Sequence, residues 1–136
     1  MQESDWYPNL ATGEVIYWRV TGWEYSADYK TFTIHIRKGV TWNDGEPYTS
    51  ADYVFTLNML KEYDTLFGHA AAAEWIESVE APDDYTVVIH LTKPGPRFHN
   101  NFHFWGGEIG QIRPEHIWKD VDPTTFKSWP PVETGP

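Results

Sequence analysis

A chain of 136 residues is long enough for one domain that buries a core without staples, and 40% apolar with 17% aromatic content excludes a disordered or low-complexity polymer. Ten basic residues against twenty acidic ones leave a net charge of −10, which disfavours nucleic acid and anionic membrane surfaces and fits a soluble protein that binds something neutral, zwitterionic or sugar-like. The absence of cysteine excludes disulfides, Cys-zinc sites and thiol chemistry, and no apolar run approaches the roughly 20 residues of a membrane span.

Met1 to Asn9 is polar with an early Pro8 and reads as a lead-in loop; nothing ahead of Asp5 reads as a secretory leader. From Gly13 to Val20 the run GEVIYWRV alternates, with bulk on both faces, and predicts a strand. A hairpin follows: Trp23 to Tyr25 extended, a turn over Ser26 to Lys30, and a return over Thr31 to Arg37. Phe32, Ile34 and Ile36 share one face of that return, opposite Thr31, Thr33, His35 and Arg37. Lys38-Gly39 closes it.

The next stretch, VTWNDGEPYTSADYVFTLNMLKEY, is a strand end, a turn and a helix in 24 residues. Asn43-Asp44-Gly45 tolerates positive φ, and Pro47 fixes the exit direction. Thr49 or Ser50 can cap a helix over Ala51 to Tyr63, and Asp52 adds negative charge to its first turn. Val54, Leu57, Met59, Leu60 and Tyr63 trace its apolar stripe, with Phe55 beside it. Asp64 to Gly68 reads as a loop, and HAAAAEW, His69 to Trp75, as a short helix.

IESVEA and DDYTVVIHLTK read as two antiparallel strands around a Pro82-Asp83 turn. Pro94-Gly95-Pro96 breaks the chain, RFHNNFHFW reads as a helix, and Gly106-Gly107 ends it. In IRPEHIW, Pro114 suits the first position of another helix. From Asp120 the prolines predict an extended tail, and there are no repeats. Strands in adjacent antiparallel pairs, separated by helices, predict an α+β class with a small mixed, largely antiparallel sheet and two to four helices.

The segment GWEYSADYKTFTIHIRKGVTWNDGEPYTSADYVFT resembles the N-terminal signature of family 5 extracellular solute-binding proteins, the peptide, nickel and oligosaccharide receptors of ABC importers. The matching elements are Trp23, the Asp28 to Lys30 turn, the strand Phe32 to Ile36, Arg37 to Gly39, Trp42, Asp44, Gly45, Pro47, Ser50, Ala51 and Asp52. IESVEAPDDYTVVIHLTKPGPRF, IRPEHIW and DPTTFKSWPPVETGP resemble later parts of the same family, so the likeness covers residues 14 to 136. The chain departs from the family's Leu-Ala-Glu-x-Trp start, carrying Arg19-Val20-Thr21-Gly22 there.

Full members are several times longer, so the resemblance implies one subdomain of the first lobe of a two-lobe periplasmic-binding-protein type II fold. Residues 1–13 would lead in, 14–122 form the subdomain, and 123–136 return to a main lobe. It also implies an extracytoplasmic, non-enzymatic receptor without cofactor that works with permease subunits. Such a receptor captures a peptide or oligosaccharide by lobe closure, and the isolated piece would be open to self-association. The Asp-Gly-x-Pro turn and capped helix would be scaffold. The loop from Tyr63 to His69 would reach the cleft rim, with Phe67 as its aromatic and His69 beside it.

Other residues invite sharper chemistry. His99 and His103, at i and i+4, share a helix face as metal ligands do, with Glu108 and His116 as the further donors; no third ligand is assured, and surface or capping histidines are the reading. Glu74/Glu77 and Asp83/Asp84 lack the fixed separation across one cleft that glycoside hydrolysis needs and read as solvated charge. No nucleophile-elbow or phosphate-loop sequence occurs. Eight tryptophans admit an alternative, an independent carbohydrate-binding module. Trp18, Trp23, Trp42 and Trp75 sit at element ends where packing is the default, and Trp105 is kept as a possible ligand contact.

Overall fold

A computed structural model of the protein describes residues 5–102, 109 and 112–124. It contains strands β1 (Trp6–Pro8), β2 (Val15–Tyr17), β3 (Val20–Tyr25) and β4 (Thr31–Ile36), helices α1 (Ser50–Glu62) and α2 (His69–Trp75), strands β5 (Ile76–Asp83) and β6 (Thr86–Leu91), a 3-10 turn at Phe98–Phe102, and helix α3 (Glu115–Trp118). The class is α+β. The main sheet runs β3-β4-β6-β5, and the sheet expected to be mixed is antiparallel at every pairing among the described residues. Each hairpin closes through a short turn, and the helices between them bring β6 back beside β4.

The period of two does most of the work. Phe32, Ile34 and Ile36 of β4 and Val87, Ile89 and Leu91 of β6 are buried on the inner face. Their outward neighbours are Thr31, Thr33 and His35, and Thr86, Val88 and His90. The aromatic load fills the inner side: Trp6 lies 5.7 Å from Phe102 and Phe32 lies 5.6 Å from Phe98. Trp42 is buried beside Tyr48. Trp18, expected to pack, is instead half exposed.

Two expectations fail at the start of the chain. The supposed lead-in loop contains β1, whose Trp6 pairs with Tyr17 and is 1% exposed. The strand read from Gly13 to Val20 is interrupted at Trp18 and Arg19. The Trp18 amide still follows β1 by donating to the Asp5 carbonyl (3.0 Å), while Arg37 donates from Nε to the Trp18 carbonyl and from its amide to the Arg19 carbonyl. Consecutive Arg19 and Val20 are both buried, which a flat strand of period two does not allow, so the chain turns and a bulge follows between Val20 and Gly22. Arg19 goes in with a partner: its Nε lies 2.9 Å from Asp5 Oδ1, which also accepts from the Tyr48 hydroxyl at 2.8 Å. A buried cation is tolerated only on such terms.

The strand-turn-helix punctuation behaves as read. The Gly45 amide donates to the Trp42 carbonyl (3.0 Å), the Trp42 amide donates to the Glu46 carbonyl (2.8 Å), and Gly45 takes φ +91°, a left-handed value that favours glycine. Thr49 is the N-cap, and Asp52 reaches back to accept its amide at 3.0 Å. Ser50 enters the helix and donates its hydroxyl to the Asp83 carbonyl at 2.6 Å, tying α1 to the β5–β6 turn.

The buried stripe of α1 is shifted from the expected one. Tyr53, Thr56, Leu57 and Leu60 follow i, i+3, i+4, i+7, and Val54 and Tyr63 are only partly covered. Sequence polarity hid this, because Asp52 and Thr56 are buried against hydrogen-bond donors that come from a distant segment. α2 keeps its expected bounds. The helix expected over RFHNNFHFW is a 3-10 turn over Phe98–Phe102, its remainder lying outside the described residues. Pro114 is the N-cap of α3 rather than its first turn, with ψ 117°.

Candidate functional site

Asp52 is the polar centre on which the local geometry depends. Its Oδ2 accepts from Trp42 Nε1 (3.1 Å) and the Thr49 amide (3.0 Å), and its Oδ1 accepts from the Glu115 amide (2.9 Å). One turn along α1, the Thr56 hydroxyl oxygen accepts the Arg113 amide at 2.8 Å. Two side chains at i and i+4 thus hold the backbone of residues 113–115 against α1. Burial pushes the Asp52 pKa above the ordinary aspartate value, and the three donors pull it partly back. A second tie joins the Asn43-Asp44-Gly45 turn to α3: His116 Nε2 lies 2.6 Å from Asp44 Oδ2, and that contact holds the Asp44 carboxyl below the ordinary aspartate value.

With α3 seated, a groove of about 300 Å3 opens between it and the outer face of α1. Phe55, Asn58, Met59, Glu62 and Tyr63 form one wall; Trp118, Lys119, Val121 and Pro123 form the other. Arg113 lies 5.3 Å over the Trp118 ring, and burial brings its pKa down to about 10. The groove has aromatic walls and one charge of each sign, from Glu62 and Lys119. Sequence reading missed it, because its two walls are some sixty residues apart and are brought together by contacts such as those of Asp52 and Thr56.

Tyr63 is also the first residue of the loop that carries Phe67. The Leu66 amide donates to the Tyr63 carbonyl and the His69 amide to the Leu66 carbonyl. This winding turns Leu66 toward the core and leaves Phe67 79% exposed. Gly68, at φ +96°, then starts α2. His69 sits 2.7 Å, through Nδ1, from the Leu60 carbonyl. A carbonyl only accepts, so Nδ1 carries the proton and the ring pins the loop to α1. Phe67 thus stands out at the loop tip, while the His69 ring at the start of α2 faces the Leu60 carbonyl. Trp105 lies outside the described residues.

The other candidates have structural partners. The His99 amide donates to the Tyr25 hydroxyl (2.9 Å), His99 Nδ1 shares a hydrogen bond with the same hydroxyl at 2.8 Å, and the ring stacks on Trp23 at 4.3 Å. That arrangement occupies Nδ1 and buries the phenol, and burial pushes the Tyr25 pKa up to about 12. His103 and Glu108 lie outside the described residues, and among the described ones no three potential ligands cluster. Glu74 pairs with Lys93 at 2.6 Å, and the Glu77 carbonyl accepts from Lys61. Asp83 caps its own turn by accepting from the Tyr85 amide and the Thr86 hydroxyl, and the Asp84 carbonyl accepts the Ser50 amide.

The family model described as bacterial extracellular solute-binding proteins, family 5, middle region, matches residues 7–136. A putative ABC transporter peptide-binding protein of Brucella ovis is 34% identical over 118 residues, covering 83% of this chain and 21% of the relative. The periplasmic oligopeptide-binding protein of an oligopeptide ABC transporter from Thermotoga maritima superposes with a TM-score of 0.84 at 22% identity, over 99% of this chain and 25% of that one; in a second structure it is bound to mannohexaose. The oligopeptide-binding protein AppA of Bacillus subtilis, in complex with a nonapeptide, superposes with a TM-score of 0.72 at 24% identity, over 90% and 23% of the two chains. The chain spans about a fifth to a quarter of the length of these relatives.

Proposed function

The chain belongs to the bacterial extracellular solute-binding proteins of family 5, and on that premise we propose that it is a scaffold wall of one lobe of an ABC-importer receptor for peptides or oligosaccharides. The observation that carries this is the distribution of polar chemistry. Asp52, Thr56, His69, His99 and the Asp5–Arg19 pair are all spent on fixing one element against another. The open features of the described residues include a groove with aromatic walls and the exposed aromatic Phe67 at a loop tip. Residues 123–136 lead back to the main lobe in this reading. The receptor works outside the cytoplasm with permease subunits, and ligand selects the closed state of the two lobes.

Phe67, held out by the Leu66 turn, reaches the rim of the closed cleft with His69 two positions along the chain; Trp105, ahead of Gly106-Gly107, joins it as a ligand contact. An independent carbohydrate module is not favoured, because among the six described tryptophans Trp18 alone is exposed and forms no row. A chimera tests the rim role: this chain replaces the matched segment of Bacillus subtilis AppA, and nonapeptide binding is measured by calorimetry. Retained binding that Phe67→Ala weakens several-fold is the expected result. Retained binding that ignores the substitution removes Phe67 from the rim.

A further inference from the structure

The β1–β2 ribbon has a second apolar face that the described residues leave partly exposed. Its inner face carries Trp6 and Tyr17 against the core. Its outer face carries Tyr7, Ile16 and Trp18. Ile16 is 47% and Trp18 51% exposed, the Tyr7 and Trp18 rings meet edge to face at 6.5 Å, and Leu10 in the connecting turn is 94% exposed. The main sheet of the same protein is an internal control. Its outward positions on β4 and β6 are Thr31, Thr33, His35, Thr86 and His90, with Val88 the only apolar one. The sequence thus writes a wet sheet face with threonine and histidine, and writes the β1–β2 outer face with tyrosine, isoleucine and tryptophan. An antiparallel ribbon with bulk on both sides fits an element covered on both sides.

We propose that the Tyr7–Ile16–Trp18 face is the seat on which this wall docks against the remainder of its own receptor, the part of a family 5 polypeptide outside residues 1–136. This rests on the reading of the chain as one wall of a longer receptor. Two observations select that occupant. Relatives that match this chain are about four times its length by the shares covered, so most of a receptor's surface lies outside it. The ribbon is also a two-stranded pair separate from the four-stranded main sheet, and a lone pair of strands holds its shape by packing against further structure. A second copy is the competing occupant, and the net charge of −10 on each chain opposes it.

The test uses hydroxyl-radical footprinting read by mass spectrometry at Tyr7 and Trp18, on the isolated chain and on the AppA chimera. Both residues should be modified readily in the isolated chain and protected several-fold in the chimera. Unchanged modification in a folded chimera overturns the proposal. A chimera in which this chain melts independently, at its own temperature, overturns it as well. A second arm needs no chimera: the double variant Ile16→Thr, Trp18→Ser should leave the melting temperature of the isolated chain unchanged, and a drop of several degrees would show that the face serves the wall itself. Dimerisation of the isolated chain that the double variant abolishes would assign the face to a second copy. If the receptor reading fails instead, the chimera loses nonapeptide binding while Tyr7 and Trp18 stay protected.

Discussion

Removing the Asp52 carboxylate should loosen the whole α1–α3 corner. Asp52→Ala leaves Trp42 Nε1 and the Glu115 amide without their acceptor, at about 1–3 kcal/mol each where water does not replace it. Loss of the contact to the Thr49 amide, part of the helix cap, adds about 1 kcal/mol. Against this stands the relief of a buried carboxylate whose pKa is pushed up, which returns part of the loss. The net expectation is about 3 kcal/mol, or roughly 10 °C in Tm for a domain of this size. Asp52→Asn keeps one acceptor oxygen and should fall between. Urea and thermal denaturation followed by circular dichroism measure both. Trp42→Phe supplies a double-mutant cycle, in which the two changes together should cost clearly less than their sum. A loss below about 1 kcal/mol for Asp52→Ala, or strict additivity with Trp42→Phe, would refute the assignment of Asp52 as the tie between these segments.

Arg19→Leu leaves Asp5 in the interior beside the Tyr48 hydroxyl without its counter-charge and should cost about 3–5 kcal/mol, and adding Asp5→Asn should recover part of it, both read from chemical denaturation. Gly95→Ala places a methyl 3.1 Å from Leu91 Cδ1 and 3.2 Å from Trp75 Cζ3, between a strand end and the 3-10 turn, so a loss of about 1–3 kcal/mol is expected. Asp44 has its pKa lowered in the folded state, so its contribution is present above the ordinary aspartate range and is lost as pH falls through the depressed value; Asp44→Asn should flatten the acid limb of stability against pH in thermal melts. Tyr25 has a raised pKa, so its contribution is full below the ordinary phenol value near 10 and disappears as pH rises to about 12; Tyr25→Phe should reduce the alkaline loss of stability, measured by the same melts.

What was legible in the chain was the part governed by local rules. The alternation at Thr31–Ile36, the left-handed glycine of the Asn43-Asp44-Gly45 turn and the alanine-rich α2 each follow from neighbours within a few residues. What stayed hidden depends on distant partners. Arg19 stood in an alternating run with bulk on both faces, and Asp5, fourteen positions earlier, supplies the counter-charge that lets it be buried. Asp52 looked like a surface helix-start charge, yet the Glu115 amide makes it a buried acceptor. The groove wall at Trp118 and Val121 carries no sequence signal of its own, since its place is set by how Asp52 and Thr56 hold residues 113–115. The available signal was spacing: Asp52 and Thr56 stand four apart on the helix, polar where the apolar stripe should have run.

Titration calorimetry of the isolated chain with oligopeptides and mannohexaose, each carried into the millimolar range, bears most directly on the scaffold reading. A wall whose polar groups are spent internally should release no heat beyond dilution with any of them. Saturable binding at micromolar concentration by this chain alone would contradict the account, because the ligand pocket would then lie within the wall and not beside it.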